Sequence, residues 1–472
     1  MDISLGGLVV FAGLLALGYY LGSAPIIGLF ASLTFGSTAI VILGALGGSS
    51  PLIYTAFAML LLASVALRRG FVDDLLAVFA RHGIAWIVIA LLVYCIGGAI
   101  LFPRLLAGQT SVLVATPGIG VREYPLAPVS GNIAQSAYFV MGGLMFFAFA
   151  ILLSKGGRYF EIVRRGFLMW VILHTLLGLI DLAGKMAGIG DILSPIRTAS
   201  HDFLVEVEHS GFWRIVGGRS EASSFGIVTV ACMAFSFTYW RATRSLLMLG
   251  LTLVLFLLLL LSTSSTAYAG FAFVAPFGAA AMLVSALRGR VSYQDLLLVL
   301  LGILALCTLL ALYLYNELLF EPVFNLFDAV VLNKASSDSF ATRAYWNAKS
   351  LESFVDTGGL GVGMGSSRAA SWVIAVLSQL GIVGAVLIAC LVGVLLKDMI
   401  STKDVYPDDK TLALVSGARA SVLASLAAAG VSGGSADPGL LFFIALAVVT
   451  VTRRQGATAV RLREAGLSHS VR

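Results

Sequence analysis

Charge is the first thing this chain is short of. Asp, Glu, Lys and Arg make up only 11% of its 472 residues, roughly half the share found in soluble domains. So few charges cannot cover a solvated surface, which excludes an ordinary water-soluble globule. Cysteine is scarce as well. Cys95, Cys232, Cys307 and Cys390 form no CxxC pair and fall inside apolar runs, so they read as small packers rather than a disulfide framework or a Cys/His metal site. The five histidines form no cluster and no DxD is present, so no metal and no cofactor is expected. A GxxxxGK[ST] loop, a complete GxGxxG and a repeat of fixed period are all missing, which argues against a nucleotide loop or a solenoid.

What fills the chain is hydrocarbon: 59% of the residues are hydrophobic. Apolar runs long enough to cross about 30 Å of lipid as helices recur along almost the whole length. Thirteen spans are expected, starting near Ile3, Pro25, Pro51, Ile84, Ile133, Phe167, Ala222, Ser245, Ala267, Leu296, Ala369, Thr411 and Gly439. The fold class is therefore all-α, a single polytopic membrane domain over residues 1–472 with about 12 to 14 transmembrane helices. Nothing basic precedes the first run (Met1-Asp2-Ile3) and no cleavage site follows it, so it is expected to be retained. Phe71 to Arg81 (FVDDLLAVFAR) has apolar residues at helical spacing and reads as an interfacial amphipathic helix.

Basic residues set the expected orientation. Arg68/Arg69, Lys155 with Arg158, Arg164 and Arg165, Arg241/Arg244, Arg288/Arg290, Lys397 to Lys410 and Arg453/Arg454 occupy alternate connections, which assigns those connections and the C-terminus to the cytoplasm. The net charge of +6 is then a topology signal that needs no nucleic-acid partner. Three longer segments fall on the outer face: Pro103 to Asn132, Gly190 to Glu221 and Asn316 to Arg368. Against the trend they carry Arg104, Arg122, Arg214, Arg219, Arg343 and Arg368. Arginine is the preferred fork for phosphate, although ion pairs with loop carboxylates would use the same residues.

Two stretches concentrate polar chemistry there. In Gly217 to Gly226 (GGRSEASSFG), Arg219 and Glu221 stand where a helix starts near Ala222. The free N–H groups and positive dipole end make either an anion site beside Arg219 or a cap built by Ser220 and Glu221. In Asp338 to Asn347 (DSFATRAYWN), Arg343, Tyr345 and Trp346 sit together, ahead of the glycine run Gly358 to Arg368 (GGLGVGMGSSR). Aromatic and polar side chains side by side suit a sugar or an interfacial belt.

The polytopic layout, the Arg-Ser-Glu-Ala-Ser start of a mid-chain span, and the segment Asp338…Arg343…Gly361-Val-Gly-Met-Gly…Gly381-Ile-Val-Gly384 resemble the bacterial O-antigen polymerase and O-antigen ligase superfamily. The resemblance is sharp over Arg214 to Glu221 and Asp338 to Gly384. It implies a metal-independent glycosyltransferase of the membrane-embedded GT-C type. Such an enzyme acts at the outer, periplasmic face of the bacterial inner membrane on glycans carried by undecaprenyl diphosphate. Ligases of the superfamily carry a His-Asn, His-Ser or His-Gln pair nine residues ahead of GxxG. Here Ala370 and Ser371 stand at those positions, which favours the polymerase branch.

The expected activity is extension of O-antigen, capsule or exopolysaccharide, with one lipid-linked glycan transferred to the non-reducing end of another. A diphosphate is a good leaving group, so cations matter more than a strong acid. Arg214, Arg219, Arg343 and Arg368, with the amides of Gly361, Gly363 and Gly365, are expected to bind the diphosphate. Glu221 is the expected base and Asp338 the reserve; Tyr345 and Trp346 are expected to hold sugar. The surface or core suits His201 and His209 better than catalysis. A chain-length regulator is a candidate partner. The competing readings are ligase-type transfer to another acceptor and a lipid-linked glycan transporter. Intramembrane His174, the Asp181/Lys185 pair and Arg419 speak for transport, whereas no paired broken spans are evident in the sequence.

Overall fold

The computed structural model describes residues 2–42, 50–116, 120–200, 208–209, 212–289, 291–317, 321, 324, 338–397 and 408–464. Fifteen α-helices carry the chain: α1 Leu5–Tyr20, α2 Ala24–Ser32, α3 Ile53–Ala66, α4 Phe71–Arg81, α5 Ile84–Leu105, α6 Ser130–Ser154, α7 Gly157–Met186, α8 Ala222–Thr243, α9 Leu246–Leu261, α10 Ser265–Leu287, α11 Tyr293–Tyr315, α12 Asp338–Asp356, α13 Trp372–Leu396, α14 Asp409–Ser432 and α15 Leu440–Glu464. Among the described residues, strands form three short antiparallel pairs: β1 (Asp2–Ile3) with β2 (Val41–Ile42), β3 (Ser111–Thr116) with β4 (Gly120–Pro125), and β5 (Glu208–His209) with β6 (Phe212–Trp213). The protein is an all-α polytopic membrane protein.

Among the described residues, eight helices are long and apolar enough to cross a membrane unaided: α5 to α8, α10, α11, α13 and α14. A helix starts close to twelve of the thirteen positions expected from hydropathy, but not every one is a full span. α1 and α9 have 16 residues, α2 has nine, and α3 ends at a bend of 99° into α4. α7 starts at Gly157 rather than near Phe167, because the basic turn containing Arg158, Arg164 and Arg165 is itself helical. α11 buries none of its apolar run against protein, as a helix that is hydrophobic all round does when lipid is its neighbour.

Hydrogen bonds gather the basic connections at one end of the bundle. Lys155 donates to Asp74, Arg68 to the hydroxyl of Tyr159, Arg165 to the carbonyl of Leu21, Arg164 to Glu161 and Tyr239, Arg244 to Asp295, and Arg454 to the carbonyl of Arg81. This basic end therefore joins the corners of α1–α2, α3–α4, α6–α7, α8 with α11, and α15. The described parts of the connections between α5 and α6 and between α7 and α8, with segments 357–371 and 433–439, lie at the opposite end.

At that opposite end two helices are interrupted, and each gap is filled by one of those segments. α2 stops at Ser32, half-way along a span. The chain beyond it is held by the segment before α8: Ser37 Oγ donates to Gly218 O at 3.0 Å, Thr38 Oγ1 to Ile196 O at 2.6 Å, and the amides of Thr198 and Ala199 donate to Ser37 O. α13 breaks at Gly381, whose φ of 64° and ψ of −167° leave the helix. The freed carbonyls of Ser378 and Gln379 accept from the amides of Val362 and Gly363 at 2.8 and 3.0 Å, and Ile382 N–H donates to Gly359 O at 2.9 Å. Irregular backbone at membrane depth is tolerated only where protein satisfies it in this way. The sequence shows no paired broken spans, yet two interrupted helices are present: hydropathy averages over a short interruption and does not register it.

Small residues set the closest helix approaches. A Cβ on Gly226 of α8 would lie 2.5 Å from Ala267 Cβ of α10, and one on Gly270 of α10 would lie 2.7 Å from Ala428 Cβ of α14, the small-residue packing favoured between membrane helices. Asn132, buried in the first turn of α6, ties that helix to the glycine segment. Its Nδ2 donates to Met364 O at 2.7 Å and Ser366 Oγ at 2.8 Å, and its Oδ1 accepts from Val129 N–H at 2.8 Å. Asn132→Ala is expected to destabilise by about 1–3 kcal/mol through the orphaned partners. The check is a lower melting temperature in detergent micelles, with unchanged melting arguing against the tie.

Candidate functional site

The glycine run settles into a structural role. Gly361 N–H donates to Thr357 Oγ1 at 3.2 Å, Gly363 N–H to Gln379 O at 3.0 Å, and Gly365 N–H to Gln379 Oε1 at 3.0 Å. All three amides expected to cradle a diphosphate are spent within the protein, two on Gln379 at the break in α13 and one on Thr357 just past α12, which corrects that expectation. A Cβ on Gly365 would lie 2.2 Å from Gly131 O and one on Gly381 would lie 2.2 Å from Leu360 O. Close backbone contact with the protein itself, not with a ligand, is what these positions require.

Arg219 departs in the same direction. Its Nη2 donates to Leu33 O, the carbonyl just past α2, at 2.6 Å, and Gly36 packs directly on its guanidinium. There it meets the negative end of a broken helix, with Tyr54 and Cys232 in electrostatic reach. The buried Asp181 explains how this segment is positioned. Asp181 Oδ2 accepts from the amides of Val216 and Gly217 at 2.7 and 3.0 Å and from Lys185 Nζ at 3.1 Å, while Arg197 lies 3.7 Å from its Oδ1. Lys185 in turn donates to Arg214 O at 2.5 Å. The pair read from the sequence as a possible transport relay is a bracket for residues 214–217. His174 is likewise a core residue, with Nε2 2.9 Å from Thr229 Oγ1 and its ring stacked on Phe225.

Of the expected residues, Arg214 has both Glu221 and Arg343 within electrostatic reach. Burial draws the Arg214 guanidinium down from its ordinary value, the attraction of Glu221 offsets this, and the repulsion of Arg343 adds to it. The two guanidinium groups and one carboxylate leave an excess of positive charge. Arg214 Nε is also buried without a hydrogen-bond partner. Glu221, rather than Ser220, is the N-cap of α8; its Oε1 accepts from Ser223 Oγ at 2.5 Å, and no side chain caps the first amides of the helix.

α12 presents Arg343, Trp346, Asn347 and Ser350 on its less exposed face, at helical spacing. Asn347 Oδ1 accepts from Ala370 N–H at 2.8 Å, and the guanidinium of Arg368 lies over the Trp346 ring at 5.5 Å, a cation–π distance. Tyr345 points the other way. Its hydroxyl donates to Glu123 Oε2 on β4 at 2.5 Å, and this bond, followed by Lys349, holds the Glu123 carboxyl below its usual range. Trp346 and Tyr345, expected to hold sugar together, are thus separated. Tyr345→Phe is expected to leave function within about threefold of wild type, as exposed surface changes do; a larger loss would place Tyr345 at the ligand. Asp338 begins α12, but its side chain lies outside the described residues, as do His201 and the side chain of His209.

Between these elements lies a cavity of about 550 Å³, lined by β3 (Leu113 to Thr116), the start of α6 (Val129 to Gly131, and Gln135), Gly365, Ser367, Arg368, Gly434 and Ser435. Ser435 Oγ donates to Gln135 Oε1 at 3.0 Å. The connection Ser432 to Gly439 (SGGSADPG) was not expected to contribute. It brings Asp437 within one hydrogen bond of the cavity wall, its N–H donating to Ser435 Oγ at 3.3 Å and its Oδ1 accepting from Gly439 N–H at 2.9 Å. The available signal was an acidic residue in a short glycine-rich connection between two apolar runs. No protein-family model matches the chain, and no curated protein matches its sequence.

Proposed function

We propose that this chain is a metal-independent glycosyltransferase that polymerises lipid-linked glycans. It would move a saccharide from one polyprenyl diphosphate to the non-reducing end of another lipid-linked unit, at the periplasmic face of a bacterial inner membrane. The observations that carry this reading are a polar cavity of about 550 Å³ whose wall holds Arg368 and, at the same end of the bundle, Arg214 within electrostatic reach of both Glu221 and Arg343. Surplus cations at a cavity suit a dianionic leaving group, because the charge that develops as the sugar–oxygen bond breaks meets donors already in place. Glu221 then serves as the counter-charge that keeps Arg214 oriented. Trp346, braced by Arg368, offers a ring face to a sugar.

A second reading has its own support. The interrupted helices α2 and α13 are the kind of feature transporters use to build substrate sites. Both breaks, however, have their backbone groups occupied by neighbouring protein segments. The experiment that separates the readings is incubation of the purified protein with lipid-linked repeat units. A ladder of lengths is the expected result. A single transfer to a different acceptor would indicate ligase-type chemistry, and movement across a vesicle without bond formation would indicate transport.

A further inference from the structure

Transfer to a sugar hydroxyl requires a place for the hydroxyl proton to go, and the carboxylates near the cavity differ in whether they are free to take it. Glu123, Asp181, Asp191, Glu221, Glu352 and Asp356 each accept from a side-chain donor: Tyr345, Lys185, Arg197, Ser223, Lys349 and Thr110 respectively. Asp437 does not. Its Oδ1 takes the amide of Gly439, its own N–H donates to Ser435 Oγ at 3.3 Å, and no Lys, Arg or His among the described residues forms an ion pair with it. The residue keeps part of its surface accessible, and no hydrogen bond to Oδ2 is formed among the described residues. Ser435, which accepts the Asp437 N–H, is joined to Gln135, and both line the cavity together with Arg368.

The groups facing Asp437 are few. Tyr54 on α3 lies within electrostatic reach of Asp437, Tyr138 and Arg219, and Cys95 on α5 lies within reach of Asp437 and Ser136. Phenols and a thiol are neutral at ordinary pH, and Arg219 is turned towards Leu33 O. The local field therefore contains no close cation that would hold the carboxylate fully ionised and weakly basic. Burial pushes the Asp437 carboxyl up to about 6, close to the operating pH at which a general base works best.

We propose that Asp437 accepts the proton of the attacking hydroxyl, with Gln135 and Ser435 orienting the acceptor sugar. In this step the acceptor oxygen forms a bond to C1 of the donor sugar as its proton passes to Asp437 Oδ2. The bond from C1 to the diphosphate oxygen breaks, and its electron pair leaves with the polyprenyl diphosphate, whose charge is met by Arg368 on the cavity wall. The proton is later released to water. This assignment rests on the glycosyltransferase reading and replaces Glu221 as the base, since Glu221 is engaged by Ser223 and lies in the field of Arg214.

The test uses the purified full-length chain with lipid-linked repeat units as both donor and acceptor. Three preparations are compared: wild type, Asp437→Asn and Asp437→Glu, with donor binding measured separately by thermal shift. The expected result is a wild-type ladder whose initial rate falls below about pH 6, an Asp437→Asn rate lower by about 10²–10⁴-fold with donor binding retained, and an Asp437→Glu rate between the two with a displaced acid limb. A merely structural aspartate would not displace that limb. If wild type forms a ladder while Asp437→Asn stays within about threefold of it, the assignment to Asp437 is overturned and the glycosyltransferase reading stands. If wild type forms no ladder, both fall. Should Asp437→Asn fail to fold, the wild-type and Asp437→Glu profiles decide. A rate independent of pH between about 5 and about 7.5 overturns the proposal.

Discussion

Arg343→Ala is expected to reduce chain growth by about 10²–10³-fold, the size of effect seen when one preorganised donor to a developing anion is removed. The residue sits on the half-buried face of α12, one turn ahead of Trp346, and its charge is felt at Arg214 on a different segment. The repulsion from Arg343 adds to the burial that disfavours charge on Arg214, and Glu221 offsets it only with a single negative charge, so a dianionic ligand would find surplus positive charge there. Removing Arg343 relieves that repulsion, and the variant is expected to fold at least as well as wild type. Lost activity cannot then be traced to lost protein. Arg343→Lys keeps the charge but not the planar fork, and an intermediate rate is expected. The measurement is the ladder formed from lipid-linked repeat units at equal amounts of folded protein; wild-type ladders from Arg343→Ala would remove the arginine pair from the proposal.

How much of this was readable beforehand depends on the kind of signal. Helix starts near Ile84, Ala222 and Leu440 follow from hydropathy, since a run of apolar residues bounded by polar ones has few other solutions in lipid. The α4 amphipathic helix was equally legible, because its periodicity is local. The broken spans were not. α2 ends at Ser32 because Ser37 and Thr38 find partners in Gly218 and Ile196, far along the chain, and no window of local sequence contains both halves of that bond.

The site shows the same division. Arg214, Glu221 and Arg343 could be picked out as polar residues in regions where polarity is expensive, and the fold does put Glu221 and Arg343 within electrostatic reach of Arg214. Arg219 has the same residue type and lies in the same motif, yet it is consumed at Leu33 O. The amides of Gly361, Gly363 and Gly365 are consumed by Thr357 and Gln379. Residue type shows that a hydrogen-bond donor exists, whereas only the tertiary partner shows whether it is free. Asp437 was missed for the converse reason: eight residues between two apolar runs look like a plain connection until Gln135 and Ser435 place them at the cavity.

Asp181→Ala is expected to destabilise the fold by about 3–5 kcal/mol, the penalty for leaving buried partner charges without their counter-charge. Lys185 and Arg197 are both buried, and the substitution would also orphan the amides of Val216 and Gly217. Because those amides precede Arg219 and follow Arg214, the loop that carries Arg214 should loosen, and chain growth should fall together with melting temperature in detergent. Lys185→Met removes one cation yet leaves Asp181 with Arg197 and two amides, so a smaller loss is expected. The decisive variant is Asp181→Asn. It retains an acceptor for the amides but no charge for Lys185 and Arg197, so as a structural bracket it should melt below wild type. An Asp181→Asn protein with wild-type melting and lost function would show that the charge itself is moved or exchanged during turnover. That outcome would turn the reading from polymerisation towards transport.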